Sequence, residues 1–227
     1  MSSAFLPPGH PLRHVEEGKR AAGFRLVAGV DEAGRGPLAG PVVVAAVILP
    51  PDVAVPPVAD SKALSAKARG ELRKALLALP GLHHAIVEID AAEIDRLNIL
   101  RATHEGMRRA LMALLPDVDF ALVDGLRVPD LPVPTEFLVK GDARCAAIAA
   151  ASILAKERRD DIMRAAARQY PEYGFERHKG YGTADHLAAL RAHGPCPLHR
   201  RSFAPVRAAL GQGPSTSLPE DELPLFP

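Results

Sequence analysis

Apolar residues gather into short β-branched runs separated by glycine-rich or polar breaks. "FRLVAGVDE" (24–32) and "PVVVAAVIL" (41–49) read as two buried strands joined by the loop "AGRGPLAG". The alternating segment "HHAIVEID" (83–90) predicts a further strand, as do "DFALVDG" (119–125) and "TEFLVKGD" (135–142). Helical spacing appears between and after them. It covers 62–79, with Asp60 or Ser61 as N-cap, and 91–115, with Ile94, Leu97, Leu111 and Leu115 at helical spacing. It returns in an alanine-rich stretch over 143–170, whose small side chains suit close packing on a sheet, and around 183–194. The order ββαβαββα predicts an α/β sheet packed by helices. Residues 1–23 lack periodicity and predict a flexible N-terminal arm; 24–210 form the domain, and the Pro-, Ser- and acid-rich 211–227 a disordered tail.

Composition narrows the class only a little. The 227 residues, 48% hydrophobic and 24% charged, suffice for one well-buried core. The net charge of +1 excludes no partner, but its distribution is uneven. Residues 140–207 carry 13 basic and 7 acidic side chains, the layout a phosphodiester enzyme would want beside an acidic site. An ordinary helix surface explains the surplus equally well. Cys145 and Cys196 make no disulfide framework, which suits a reducing cytosol. No apolar stretch reaches the ~18 residues needed to span a bilayer, and the N-terminus lacks a secretory h-region. These features predict a soluble cytoplasmic protein.

Three predicted strand ends carry acid: Asp31–Glu32, Asp124 in "LVDG" and Asp142 in "VKGD". Carboxylates gathered from separate strands repel one another unless a cation sits among them. Mg²⁺ or Mn²⁺ suits such oxygen donors, and two ions about 3.5–4 Å apart would serve an in-line phosphoryl displacement. Neighbouring residues of a regular strand face opposite ways. Either the strand therefore bends at Glu32, or Glu32 contributes its backbone carbonyl or a water, and Asp31 is the central ligand. Taken singly, each acid reads as a turn residue or strand-end cap; three convergent cases favour a metal site.

Two other patterns compete. Gly34, Gly36 and Ala39 stand at dinucleotide-fingerprint offsets, but a strand composition follows where a helix should open. His193, Cys196 and His199, with His186 nearby, hint at zinc, yet the paired-cysteine spacing is missing and prolines flank Cys196, so they read as loop residues around a phosphate-binding surface. Cys145, in the alanine-rich helix, reads as a small core residue.

Together "GVDEAGRGPLAGPVVVAAVIL", "DSKALS", "LVDG", "KGDARCAAIAAASILAKERRD", "YGFERHKGYGTADH" and "HRRSF" resemble bacterial ribonuclease HII over about residues 26–206. The resemblance implies a ribonuclease H-like mixed sheet flanked by helices with a small C-terminal helical region. It implies metal-dependent cleavage of RNA hybridised to or embedded in DNA, leaving 5′-phosphate and 3′-hydroxyl ends. The family's four acids fall on Asp31, Glu32, Asp124 and Asp142, its GRG loop on Gly34, Arg35 and Gly36, and its substrate-sensing tyrosine on Tyr181. Glycines let backbone approach a sugar, Arg35 can fork onto a phosphate, and Tyr181 offers a stacking face. Lys62, Lys140, Ser152 and Lys156 are candidate phosphate contacts. RNA–DNA hybrid and ribonucleotide-containing duplex DNA are the implied substrates, and a monomer the implied state.

The tail "DELPLFP" resembles peptides that bind the bacterial sliding clamp, through Leu223, Leu225 and Phe226, although Glu222 stands where glutamine is usual. Two alternatives for the whole chain stay open. Cleavage of pure DNA would favour another nuclease or strand-transfer enzyme on the same fold, and binding without cleavage a non-catalytic module.

Overall fold

In the computed structural model, which describes residues 5–58 and 64–211, the apolar runs become the middle of a mixed five-stranded sheet. The strands are β1 (Val27–Ala33), β2 (Val42–Ile48), β3 (His83–Ile89), β4 (Phe120–Asp124) and β5 (Thr135–Leu138), in spatial order β3-β2-β1-β4-β5. β2 is buried along its whole length, as its unbroken apolar run requires, whereas the alternating β3 forms an edge. β1, β2 and β3 pair antiparallel; β4 joins β1 in parallel and β5 joins β4 in parallel.

The helices are α1 (His14–Ala21), α2 (Ala66–Leu77), α3 (Ala91–Leu97), α4 (Ile99–Met112), α5 (Ala146–Gln169), α6 (Phe175–His178), α7 (Ala184–His193) and α8 (Ala204–Ala209). α5 lies across β1 and β2 on one face, with Val27, Val43, Ala45 and Leu122 beneath its alanines. α4 covers the opposite face, above Val30, Val44, Ala46 and Val123. Gly29 permits the first layer: a Cβ there would sit 2.1 Å from the Ala147 carbonyl carbon, so no side chain fits between β1 and α5.

Several expectations are corrected. Residues 5–23 are packed, not a loose arm. Buried Arg13 donates to the carbonyls of Pro50, Pro51 and Val53. Buried Glu16 accepts from the Cys145 thiol and the Ala147 N–H, so α1 caps the start of α5 from far along the chain. The predicted helix 91–115 breaks at Asn98, whose φ of 67° ends α3 and whose side chain accepts the Arg101 N–H that starts α4. α2 is capped by Ser65, whose hydroxyl accepts the Ala68 N–H; Asp60, Ser61 and Lys62 lie outside the described residues, as do Leu223, Leu225 and Phe226. β5 stops at Leu138, so Asp142 lies on a 3₁₀ turn (Gly141–Ala143) reached through Lys140 at φ 56°. No helix among the described residues is long and apolar enough to cross a membrane.

Candidate active site

The parallel register places Val30 beside Val123. The next residues along, Asp31 and Asp124, therefore leave neighbouring strand ends on the same face, the one covered by α5. Asp31 is almost fully buried. Burial pushes its carboxyl well above the ordinary carboxylate range, and the charges of Glu32 and Asp124 push the same way; hydrogen bonds from Ser152 and the Glu32 N–H only partly oppose them. Asp124 accepts the Gly141 N–H at 2.6 Å, which ties the turn bearing Asp142 to the end of β4. Asp142 itself is buried.

Glu32 resolves the question of alternation. β1 stays paired with β2 through Glu32 and Ala33, opposite Val44 and Val43, so the strand does not bend there. The Glu32 side chain leaves on the α4 face, where its carboxylate lies 3.4 Å from Arg35 Nη1. Burial raises its pKa, Asp124 adds to the rise, and Arg35 offsets part of it. Among the described residues, no three acidic, histidine or cysteine side chains converge on a point where an ion could sit. The site therefore joins two like-charged acids on one face, a third on the adjoining turn and a fourth across the strand. Its side-chain donors are all hard oxygens, the set that suits Mg²⁺ or Mn²⁺.

Beside Asp31 opens a cleft of about 380 Å³ lined by Glu32, Gly34, Arg69, Ser152, Lys156 and Tyr181, among others. Tyr181 is half exposed at its rim, and Gly36 lies against the tyrosine, where a Cβ would meet Cε1 at 3.7 Å. Gly34 also serves the packing of the wall. At φ +99° its missing Cβ leaves room for Arg159, whose Nε would otherwise lie 2.0 Å away. Ser152 is largely buried, lines the cleft and bonds Asp31. Lys156 Nζ pairs with Asp160, and Lys140 is exposed.

Two arginines that sequence reasoning missed hold this wall. Arg159 donates to the carbonyls of Ala39, Pro41 and Lys179, and Arg200 to those of Gly34, Arg35 and Gly40. Burial and the neighbouring Arg159 charge lower the Arg200 pKa to about 9. A signal for Arg159 existed: Ile148, Ser152, Ala155, Arg159 and Met163 recur at helical spacing along the buried stripe of α5. Much of the basic surplus in 140–207 is thus internal or paired, as Arg158 with Glu88 and Arg164 with Asp161 also show.

His186, Cys196 and His199 are core, not loop surface, whereas His193 is exposed. His186 Nδ1–H donates to the Tyr181 carbonyl, so its Nε2 accepts from His199 Nε2–H at 3.0 Å, and His199 Nδ1 accepts the Cys196 N–H. This chain needs both rings neutral; burial and His186 hold His199 down at about 4.

A family model described as Ribonuclease HII matches residues 28–206. A Chlamydia caviae ribonuclease HII is 53% identical over 192 residues, 85% of this chain and 90% of that protein. Among solved structures, the ribonuclease H2 of Pyrococcus horikoshii OT3 superposes with a TM-score of 0.68 at 25% identity, over 82% of this chain and 97% of that one. Bst-RNase HIII in complex with Mn²⁺ shares the fold, with a TM-score of 0.62 at 22% identity over 83% and 70%. The expected ribonuclease H-like sheet is present, and the chain belongs to the ribonuclease HII family of RNase H-type endonucleases.

Proposed function

We propose that the protein cleaves the RNA strand of RNA–DNA hybrids and incises duplex DNA 5′ of a single ribonucleotide. The products are 5′-phosphate and 3′-hydroxyl ends, and the enzyme acts as a monomer in ribonucleotide removal during replication and repair. One observation carries the reading: Asp31 and Asp124, whose like charges oppose each other, share one face of the sheet beside a cleft lined by Glu32, Gly34, Ser152 and Tyr181. Asp31, Glu32, Asp124 and Asp142 would hold Mg²⁺ or Mn²⁺, Glu32 through its backbone carbonyl or a water while its side chain stays with Arg35. In this two-metal scheme, the bound ions supply Lewis-acid stabilisation of the phosphoryl oxygens and acidify the attacking water.

The chain's own groups do the rest. Ser152 and the Gly141 N–H orient Asp31 and Asp124 toward one face. The backbone of Gly34, Arg35 and Gly36 meets the 2′-hydroxyl, which distinguishes RNA from DNA at one sugar. Tyr181 stacks on the neighbouring sugar, while Arg35, Lys62, Lys140 and Lys156 contact phosphates. The tail binds a sliding clamp through Leu223, Leu225 and Phe226; unchanged clamp affinity after deleting residues 223–227 would end that part.

The test is a DNA duplex carrying one ribonucleotide, with Mg²⁺, Mn²⁺ or EDTA. Incision should fall 5′ of the ribose and vanish in EDTA. Metal-independent cutting, or equal cutting of an all-DNA duplex, contradicts the reading.

A further inference from the structure

Three carbonyl oxygens of the loop between β1 and β2 converge on one side chain. Arg200 donates to Gly34 O, to Arg35 O at 2.8 Å and to Gly40 O at 3.0 Å. Its guanidinium is completely buried, and no carboxylate among the described residues is in ion-pair contact with it. Asp95, the acid whose charge it feels, is occupied by the N–H groups of Arg201 and Ser202 and by the Ser202 hydroxyl. A buried cation held by carbonyls and the face of Phe203, 5.2 Å away, without a carboxylate is costly.

Peptide geometry gives that cation a task. Across a trans peptide, the C=O and the following N–H point in opposite directions. Drawing Gly34 O and Arg35 O inward therefore turns the Arg35 and Gly36 N–H groups outward. Neither N–H has an acceptor among the described residues, and Gly36 is exposed beside the Tyr181 ring. Arg159 braces the same wall through Ala39 O and Pro41 O, and its bond to Lys179 O ties in the segment leading to Tyr181.

We propose that Arg200 is a positioning residue for sugar discrimination: its grip on Gly34 O and Arg35 O holds the Arg35 and Gly36 N–H groups where they donate to a ribonucleotide 2′-oxygen. The inference rests on the ribonucleotide-incising function above and names the device behind its selectivity. The guanidinium fork suits the role because it spans adjacent carbonyls at fixed angles, which a lysine ammonium cannot do.

The test compares Arg200→Lys and Arg200→Gln with wild type on two duplexes identical except for one 2′-hydroxyl. Binding is read by anisotropy in EDTA, and KM and kcat on the ribonucleotide duplex in Mg²⁺. The variants should lose about tenfold of the wild-type preference for the ribonucleotide duplex, the worth of one oriented hydrogen bond, while all-DNA affinity holds. KM should rise more than kcat falls. Arg13→Gln removes an equally buried, carbonyl-bound arginine remote from the cleft; it should lower the thermal midpoint and leave the preference intact. Folded Arg200 variants with full preference overturn this inference alone, whereas a wild type without preference overturns the underlying function. A second measurement needs no variant: the wild-type Arg35 and Gly36 amide resonances should differ between the two bound duplexes, and identical resonances also overturn the proposal.

Discussion

Asp31 and Arg200 are both buried ionisable groups behind the lining of one cleft, Asp31 bonded to Ser152 and Arg200 to the Gly34 carbonyl, and the protein treats them in opposite ways. At the ends of β1 and β4, carboxylates of like sign face each other. Hydrogen bonds from Ser152 and the Glu32 N–H take up part of the Asp31 charge, and no cation among the described residues pairs with it. At the loop, two guanidiniums spend themselves on six backbone carbonyls. The acid end keeps an electrostatic debt that a ligand cation would remove; the arginine end has its donors met by the protein itself and acts by fixing backbone. One wall is built for a guest, the other for shape.

Breaking the acid wall should have the largest effect. Asp124→Asn keeps the side-chain size but removes a charge, and cleavage should fall by about a thousandfold while duplex binding survives. An active Asp124→Asn enzyme would remove this acid from the chemistry. Next comes Gly34→Ala, which forces a Cβ into Arg159 at a φ only glycine adopts freely. Stability should drop by about 1–3 kcal/mol, lowering the thermal midpoint by roughly 2–4 °C per kcal/mol.

Tyr181→Ala separates shape from stability. The exposed ring contributes little to folding, so the midpoint should stay put, while affinity for the ribonucleotide duplex falls about tenfold with the lost stacking. The smallest expected effect has the opposite sign to Gly34→Ala. A carboxyl with a raised pKa holds a proton in the fold at pH values where the unfolded chain has released it. Metal-free protein should therefore lose stability as pH rises above the ordinary Asp value of 3.8. In EDTA at pH 7, Asp31→Asn should melt a few degrees above wild type, and the gain should vanish below about pH 3.8. A lower midpoint at pH 7 would mean that Asp31 is not strained.

Much of the sheet was legible because burial leaves a local trace. The unbroken run 41–49 announced a buried strand, the alternation in 83–90 a further strand, and the alanines of α5 a close helix–sheet contact. The N-terminal segment left no such trace. Its order comes from Arg13 and Glu16 reaching carbonyls and amides far along the chain, and polar anchors have no period. The break at Asn98 was masked by apolar spacing that runs on through both helices, since one residue at positive φ redirects the chain without changing the pattern.

By itself the sequence determined the residue chemistry near the cleft, acids at strand ends, a glycine loop and an aromatic, because local composition dictates strand ends and turns. Only the tertiary structure decided which of these share a face. The parallel register turns Asp31 and Asp124 the same way and the strand's alternation sends Glu32 the other. It also decided that Arg159 and Arg200 belong inside, since a long side chain follows the nearest acceptors, and all of those but the Lys179 carbonyl lay more than a hundred residues away.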